Sequence, residues 1–190
     1  MTYLLVGIFL WWAAHLLKRL VPAVRLGMNR ALGDGPAKGV IALVLLLSVV
    51  LMIIGYRMMG AQPLYQPMPG MGHANNLLML VSIFLLGAGS NGGRIGSYLR
   101  HPMLIGIIIW SVAHLLVNGD MAPVLLFGGL GSWAVVEILV INRIEGTWQR
   151  QQPGSWRKDA VLLGMALLLY ALIAWIHSLF GFDVFQGSYA

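Results

Sequence analysis

Tryptophan and histidine recur one helical turn apart at two places in this chain, each time inside the heptapeptide W-x-x-A-H-L-L. The first copy runs from Trp11 to Leu17 and the second from Trp110 to Leu116, both within strongly apolar stretches. An ionisable side chain inside a membrane span is costly unless something there uses it. His15 and His114 stand on different spans, with no carboxylate in either. Two neutral imidazoles in lipid suit a shared metal-bearing macrocycle, and a b-type haem held by two histidines fits best. Trp11 and Trp110, each one turn before its histidine, would wall such a ring. Ser111 lies on the face of His114, where it could donate to a ligand or bond a neighbouring helix.

The remaining histidines suggest other chemistry. His101 sits in Arg100-His101-Pro102 at the start of an apolar stretch, with Pro102 at a favoured first-turn position. It is 13 positions from His114, about 19 Å along a helix, so those two cannot hold one atom. Arg100 and His101 belong at the membrane rim, where they suit a propionate, a phosphate or another anion. His73 follows a Met/Pro/Gly run that includes Met68 and Met71, a weak pattern for a soft metal such as copper(I). His177 follows Trp175 near the end of the last span, a position typical of interfacial anchors. Glu137 is the acid deepest within a span, and Asn142, Arg143 and Glu145 follow it. Depth bears on the pairing. His15 is close to Lys18 and Arg19, whereas His114 is about 20 Å from Arg100. On straight helices these two sit at different levels, and His15 could instead pair with His101.

The elements that must position these residues are membrane helices. The chain has 190 residues, 59% hydrophobic and 9% charged, against roughly 25% charged in soluble domains. Apolar stretches fall at about 2–20, 38–56, 76–90, 102–118, 121–142 and 158–180, separated by Gly/Pro/Asn/Asp breakers. We therefore expect one all-α domain over 1–190, a polytopic bundle of about six transmembrane helices. The repeated heptapeptide leaves open two inverted three-helix halves or simple recurrence in a Leu-rich chain. Of the 12 Lys and Arg residues, Arg57 alone lies on one side; the others gather on the opposite side. The positive-inside rule makes that basic side cytoplasmic, with both termini periplasmic in a bacterial inner membrane. Residues 18–38 form a basic, partly amphipathic connection that could lie along the headgroups. The net charge of +6 is thus read as topology and lipid contact, not nucleic-acid binding. Cysteine is absent, which excludes disulfides, iron–sulfur clusters and covalently attached haem. There is also no phosphate loop, no G-x-S-x-G and no H-E-x-x-H.

The stretch Arg100-His101-Pro102-Met103-Leu104-Ile105-Gly106, followed by Trp110 to Gly119 with His114 and Asn118, resembles the NnrU family of integral membrane proteins. The resemblance spans nearly the whole chain. It takes in His15, the stretch Gly33-Asp34-Gly35-Pro36-Ala37-Lys38-Gly39, Tyr56 and His73. That family includes the plant and cyanobacterial zeta-carotene isomerases, and bacterial members are associated with denitrification and nitric oxide metabolism. The resemblance implies a haem-b site with His15 and His114 as the axial pair. Its ligand would be a hydrophobic polyene or a gas, and its activity an isomerase or an oxidoreductase. The isomerase is thought to carry a cysteine where Ser111 stands, so a thiolate ligand is not available here. Arg-His-Pro followed by glycine also resembles membrane methyltransferases that bind S-adenosylmethionine, matched here in part by Glu145 near Trp148. A non-catalytic transport or assembly factor, or a homo-oligomer, is a third expectation.

Overall fold

The structure is a computed structural model that describes residues 1–182, 184 and 185. Seven α-helices follow in order among the described residues: α1 Thr2–Leu20, α2 Pro22–Leu32, α3 Asp34–Met58, α4 Met71–Ala88, α5 Pro102–Val117, α6 Met121–Glu145 and α7 Trp156–Leu179. Five of them (α1, α3, α4, α6 and α7) are long and apolar enough to cross a membrane. The apolar α5 has 16 residues, about 24 Å of helix, and completes the six expected. The protein is a polytopic helical membrane bundle. Its outer faces carry large apolar side chains that water would not tolerate together, among them Phe9, Leu43 and Leu168.

Several helices begin earlier or end later than the apolar stretches predict. α3 starts at Asp34, because Gly35 and Pro36 occupy a first turn whose N–H groups lack helical partners anyway. The positive φ of Gly33, 84°, makes the break just before it. α4 starts at Met71, so His73 is in its first turn. The basic connection forms α2, which buries no residue and is tied to α3 by a 3.0 Å bond from Arg25 Nη1 to the Ala37 carbonyl. Pro22 and Pro102 open α2 and α5.

Small residues set the crossings. A Cβ on Gly55 would strike the Leu4 backbone, and one on Gly7 would lie 2.7 Å from the Ser48 carbonyl oxygen, so α1 and α3 touch nearly backbone to backbone. α4 and α5 are joined by Ser82 Oγ donating to the Gly106 carbonyl at 2.8 Å. At the basic end, Asp159 of α7 is buried and accepts from the amides of Arg94 (2.7 Å) and Ile95 (3.2 Å), fixing the loop between α4 and α5. At the other end, residues 62–65 are strapped across the α5–α6 turn. Leu64 N–H donates to the Gly119 carbonyl at 2.9 Å and Met121 N–H to the Gln62 carbonyl at 2.8 Å. Tyr65 Oη adds bonds to the Leu115 and Asn118 carbonyls.

Candidate functional site

The two heptapeptides are built alike. His15 Nδ1–H donates to the Trp11 carbonyl at 2.9 Å, and His114 Nδ1–H donates to the Trp110 carbonyl at the same distance. Each bond closes within one helical turn and fixes the tautomer, leaving Nε2 with a lone pair suited to a ligand. Each imidazole also rests on an aromatic ring of α6. His114 stacks on Phe127 with centroids 4.2 Å apart and planes at 21°, and His15 lies 4.6 Å from Trp133.

Those two rests lie on opposite sides of α6. A Cβ on Gly131 would meet Ser111 of α5, and one on Gly129 would meet Ile8 of α1. Phe127 lies one turn from Gly131 and Trp133 one turn from Gly129. At 100° per residue the two pairs are about 200° apart around the helix. Helix α6 therefore stands between His15 and His114, and the structure does not bring the two expected ligands together. The depth difference read from the sequence points the same way, since His15 lies toward the basic end of α1 and His114 toward the opposite end of α5.

His114 does share a cavity, with His177. A chamber of about 410 Å³ lies among α3, α4, α5, α6 and α7, within the size range of small-molecule and cofactor sites. Its walls are Met79, Val117, Leu126, Phe127, Tyr170, Ile173, Ala174 and Phe182; its polar groups are His114, His177, Tyr56, Asn75, Asn76 and Asn118. His177 Nδ1–H donates to the Ile173 carbonyl at 2.8 Å, so its Nε2 is free in the same way. The two histidines sit at matching levels, His114 three residues before the end of α5 and His177 two before the end of α7. Asn118 Nδ2 donates to the His114 carbonyl at 2.8 Å, and Asn76 Nδ2 reaches the Val184 carbonyl at 2.6 Å. Asn75 is buried, and its Oδ1 has no partner among the described residues, a polar atom awaiting a donor.

The other candidates lie elsewhere. Trp11, Trp110, Ser111 and His15 do not line this chamber. The Ser111 hydroxyl is buried against Gly131 without a partner among the described residues, where it faces a helix crossing and not a ligand space. His73 is exposed, and no group of three or more His, Cys, Asp or Glu is assembled among the described residues. Arg100 and His101 line a separate open cavity of about 530 Å³ at the basic end, with Arg19, Glu145 and Trp148. Here Arg100 Nη1 donates to the Gly146 carbonyl at 2.6 Å, and His101 Nε2 lies 2.8 Å from Asn142 Oδ1. Arg19 bridges Glu137 at 2.7 Å and Glu145 at 3.3 Å, so the deep acid is held by a cation of α1. The other Glu137 oxygen is buried without a partner among the described residues, as are the indole N–H groups of Trp11 and Trp133 on the same seam.

A membrane bundle with a histidine-bearing chamber at one end and a guanidinium–carboxylate network at the other defines a class of integral membrane protein. A family model described as NnrU protein matches residues 3–184, and the chain belongs to that family. No curated protein and no solved structure matches it.

Proposed function

We propose that the chamber between α4, α5, α6 and α7 binds a b-type haem, with Nε2 of His114 and of His177 as its protein ligands. The observation that carries this reading is that both imidazoles face one apolar chamber at one level, each with Nδ1 committed to a carbonyl. Such outer bonds orient a ligating histidine and raise its basicity. The remaining residues fit the group. Phe127 and Tyr170 offer flat walls, the aliphatic side chains offer an apolar seat for the ring, and Asn118 Nδ2 holds the His114 carbonyl and so braces the turn that carries that ligand. When bound, the iron would supply one-electron chemistry, with His114 and His177 holding it. This suits the denitrification-linked or isomerase roles that family resemblance suggests, in a bacterial inner membrane with the basic end cytoplasmic. The residues themselves orient the two imidazoles through the Trp110 and Ile173 carbonyls.

The test is the absorption spectrum of protein purified after haem-replete expression. A Soret band lost in His114→Ala and in His177→Ala, but kept in His15→Ala, is the expected result. A colourless protein, or a band that depends on His15 and ignores His177, would refute the assignment. A second reading draws on the cavity at the basic end, where Arg100 and His101 meet Glu145 and Trp148. It assigns S-adenosylmethionine to that cavity, and calorimetry that detects no saturable binding dismisses it.

A further inference from the structure

A groove at the basic end, between the end of α4 and the start of α7, is separate from both sites above. It measures about 550 Å³ and combines cationic and polar groups at its head with an apolar floor. We infer that it is a seat for one anionic phospholipid, its phosphate held by Arg157 and Lys158 and an acyl chain lying over Val161, Leu162 and Met165.

The order of residues along α7 carries the argument. Arg157 and Lys158 stand in the first turn, Val161 and Leu162 one turn deeper, and Met165 one turn deeper again. From Lys158 to Met165 is about 10 Å along the helix. Charge at the rim and apolar surface beneath it reproduce the sequence of groups in a phospholipid. The side chains are also open to a ligand: Val161 and Met165 are 64% and 61% exposed, whereas Leu162 is packed against α4 beside Gly87.

The charge is uncompensated within the protein. Arg157 and Lys158 are exposed and form no ion pair among the described residues. The adjacent acid, Asp159, is buried, turned inward and occupied by the amides of Arg94 and Ile95. Arg94 itself is drawn aside over the Trp156 ring at 5.3 Å. Ser90, Asn91 and Ser155 line the same rim and add neutral donors for phosphate oxygens. Basic pockets between membrane helices on the cytoplasmic side are the usual form of an anionic-headgroup site.

Each Lys or Arg near an anionic surface is worth about a fivefold preference, so this pair should give about thirtyfold. Native mass spectrometry of the full chain in neutral detergent tests it. Phosphatidylglycerol and phosphatidylcholine with identical acyl chains are added in turn. The expected result is a one-lipid adduct favouring phosphatidylglycerol about thirtyfold, lost in Arg157→Gln/Lys158→Gln and retained in Arg30→Gln on α2. Arg30, Arg157 and Lys158 are all exposed, so folding is preserved, and an unaltered helical circular dichroism spectrum checks it. Equal adducts of the two lipids in the wild type would overturn the proposal. So would a preference that survives the α7 double variant or vanishes in the α2 variant. Displacement of the lipid by millimolar inorganic phosphate would show that the apolar floor contributes nothing, and would also overturn it.

Discussion

Replacing Gly55 by alanine tests the backbone crossing of α1 and α3. The added Cβ would lie 2.7 Å from Leu4 Cα and 2.8 Å from Leu4 Cβ. Carbon atoms in contact sit about 3.5–4.0 Å apart, so the helices must separate locally by about 1 Å. The obstacle is backbone and Cβ, which no change of rotamer removes. A gap of 0.5–1 Å forfeits a quarter to a half of each dispersion contact along the seam, and overpacking of this kind generally costs about 1–3 kcal/mol. The displacement also strains contacts farther along α1, including the Trp12 indole bond to the Gly129 carbonyl at 3.0 Å. We expect Gly55→Ala to lose about 2–3 kcal/mol, measured by unfolding in mixed micelles as the fraction of denaturing detergent is raised. Gly164→Ala on α7 is the matched control, because no heavy atom lies within 4 Å of its added Cβ. That variant should be neutral or slightly stabilised, through the helix preference for alanine. A Gly55→Ala protein that unfolds with the wild type, or a Gly164→Ala protein that falls as far, would refute the close-crossing argument.

Two further outcomes follow from the polar groups at the basic end. Arg19→Ala leaves the nearly buried Glu137 carboxylate without its cation and should destabilise the fold by about 1–3 kcal/mol, less than for a fully buried pair because the Arg19 side chain is 26% exposed. Arg19→Ala/Glu137→Gln should recover most of that in the same unfolding assay; a double variant no more stable than the single one would count against the pair. Tyr98, in the loop between α4 and α5, has its phenol held below the usual value of 10.0 by its interaction with the Arg150 guanidinium, which lies 3.6 Å over its ring, and with Arg94. Its phenolate should therefore appear at lower pH than a free tyrosine's and move back up in Arg150→Gln. The ultraviolet difference against Tyr98→Phe reads this directly, and an unmoved titration would contradict it.

Much of the architecture can be read from hydropathy and charge alone. The six apolar stretches became six helices because water-averse runs of that length have few alternatives in a bilayer. The basic linker became the surface helix α2 for the same reason that it could not enter the membrane. Helix starts were less legible. Gly35 and Pro36 look like breakers, yet they are tolerated where no helical N–H bond is lost. The tautomer-fixing role of the i−4 carbonyl was implicit in placing each histidine deep in a helix. What periodicity could not supply was which helices are neighbours. The repeated heptapeptide drew attention to His15 and His114, but the repetition recurs because each copy seats a histidine against α6, from opposite sides. His177 carried a usable signal in its distance from the helix end, which matches that of His114 and not that of His15.

The two-sided seating of α6 has a mechanical consequence. With Phe127 wedged beside Trp110 and His114, and Trp133 wedged beside Trp11 and His15, the rod is keyed like a shaft with splines on both flanks. Twisting it either way drives one aromatic blade into its neighbour while pulling the other out. The seats of His15 and His114 are therefore two faces of one rigid element, and neither can be re-seated by turning α6 without disturbing the other.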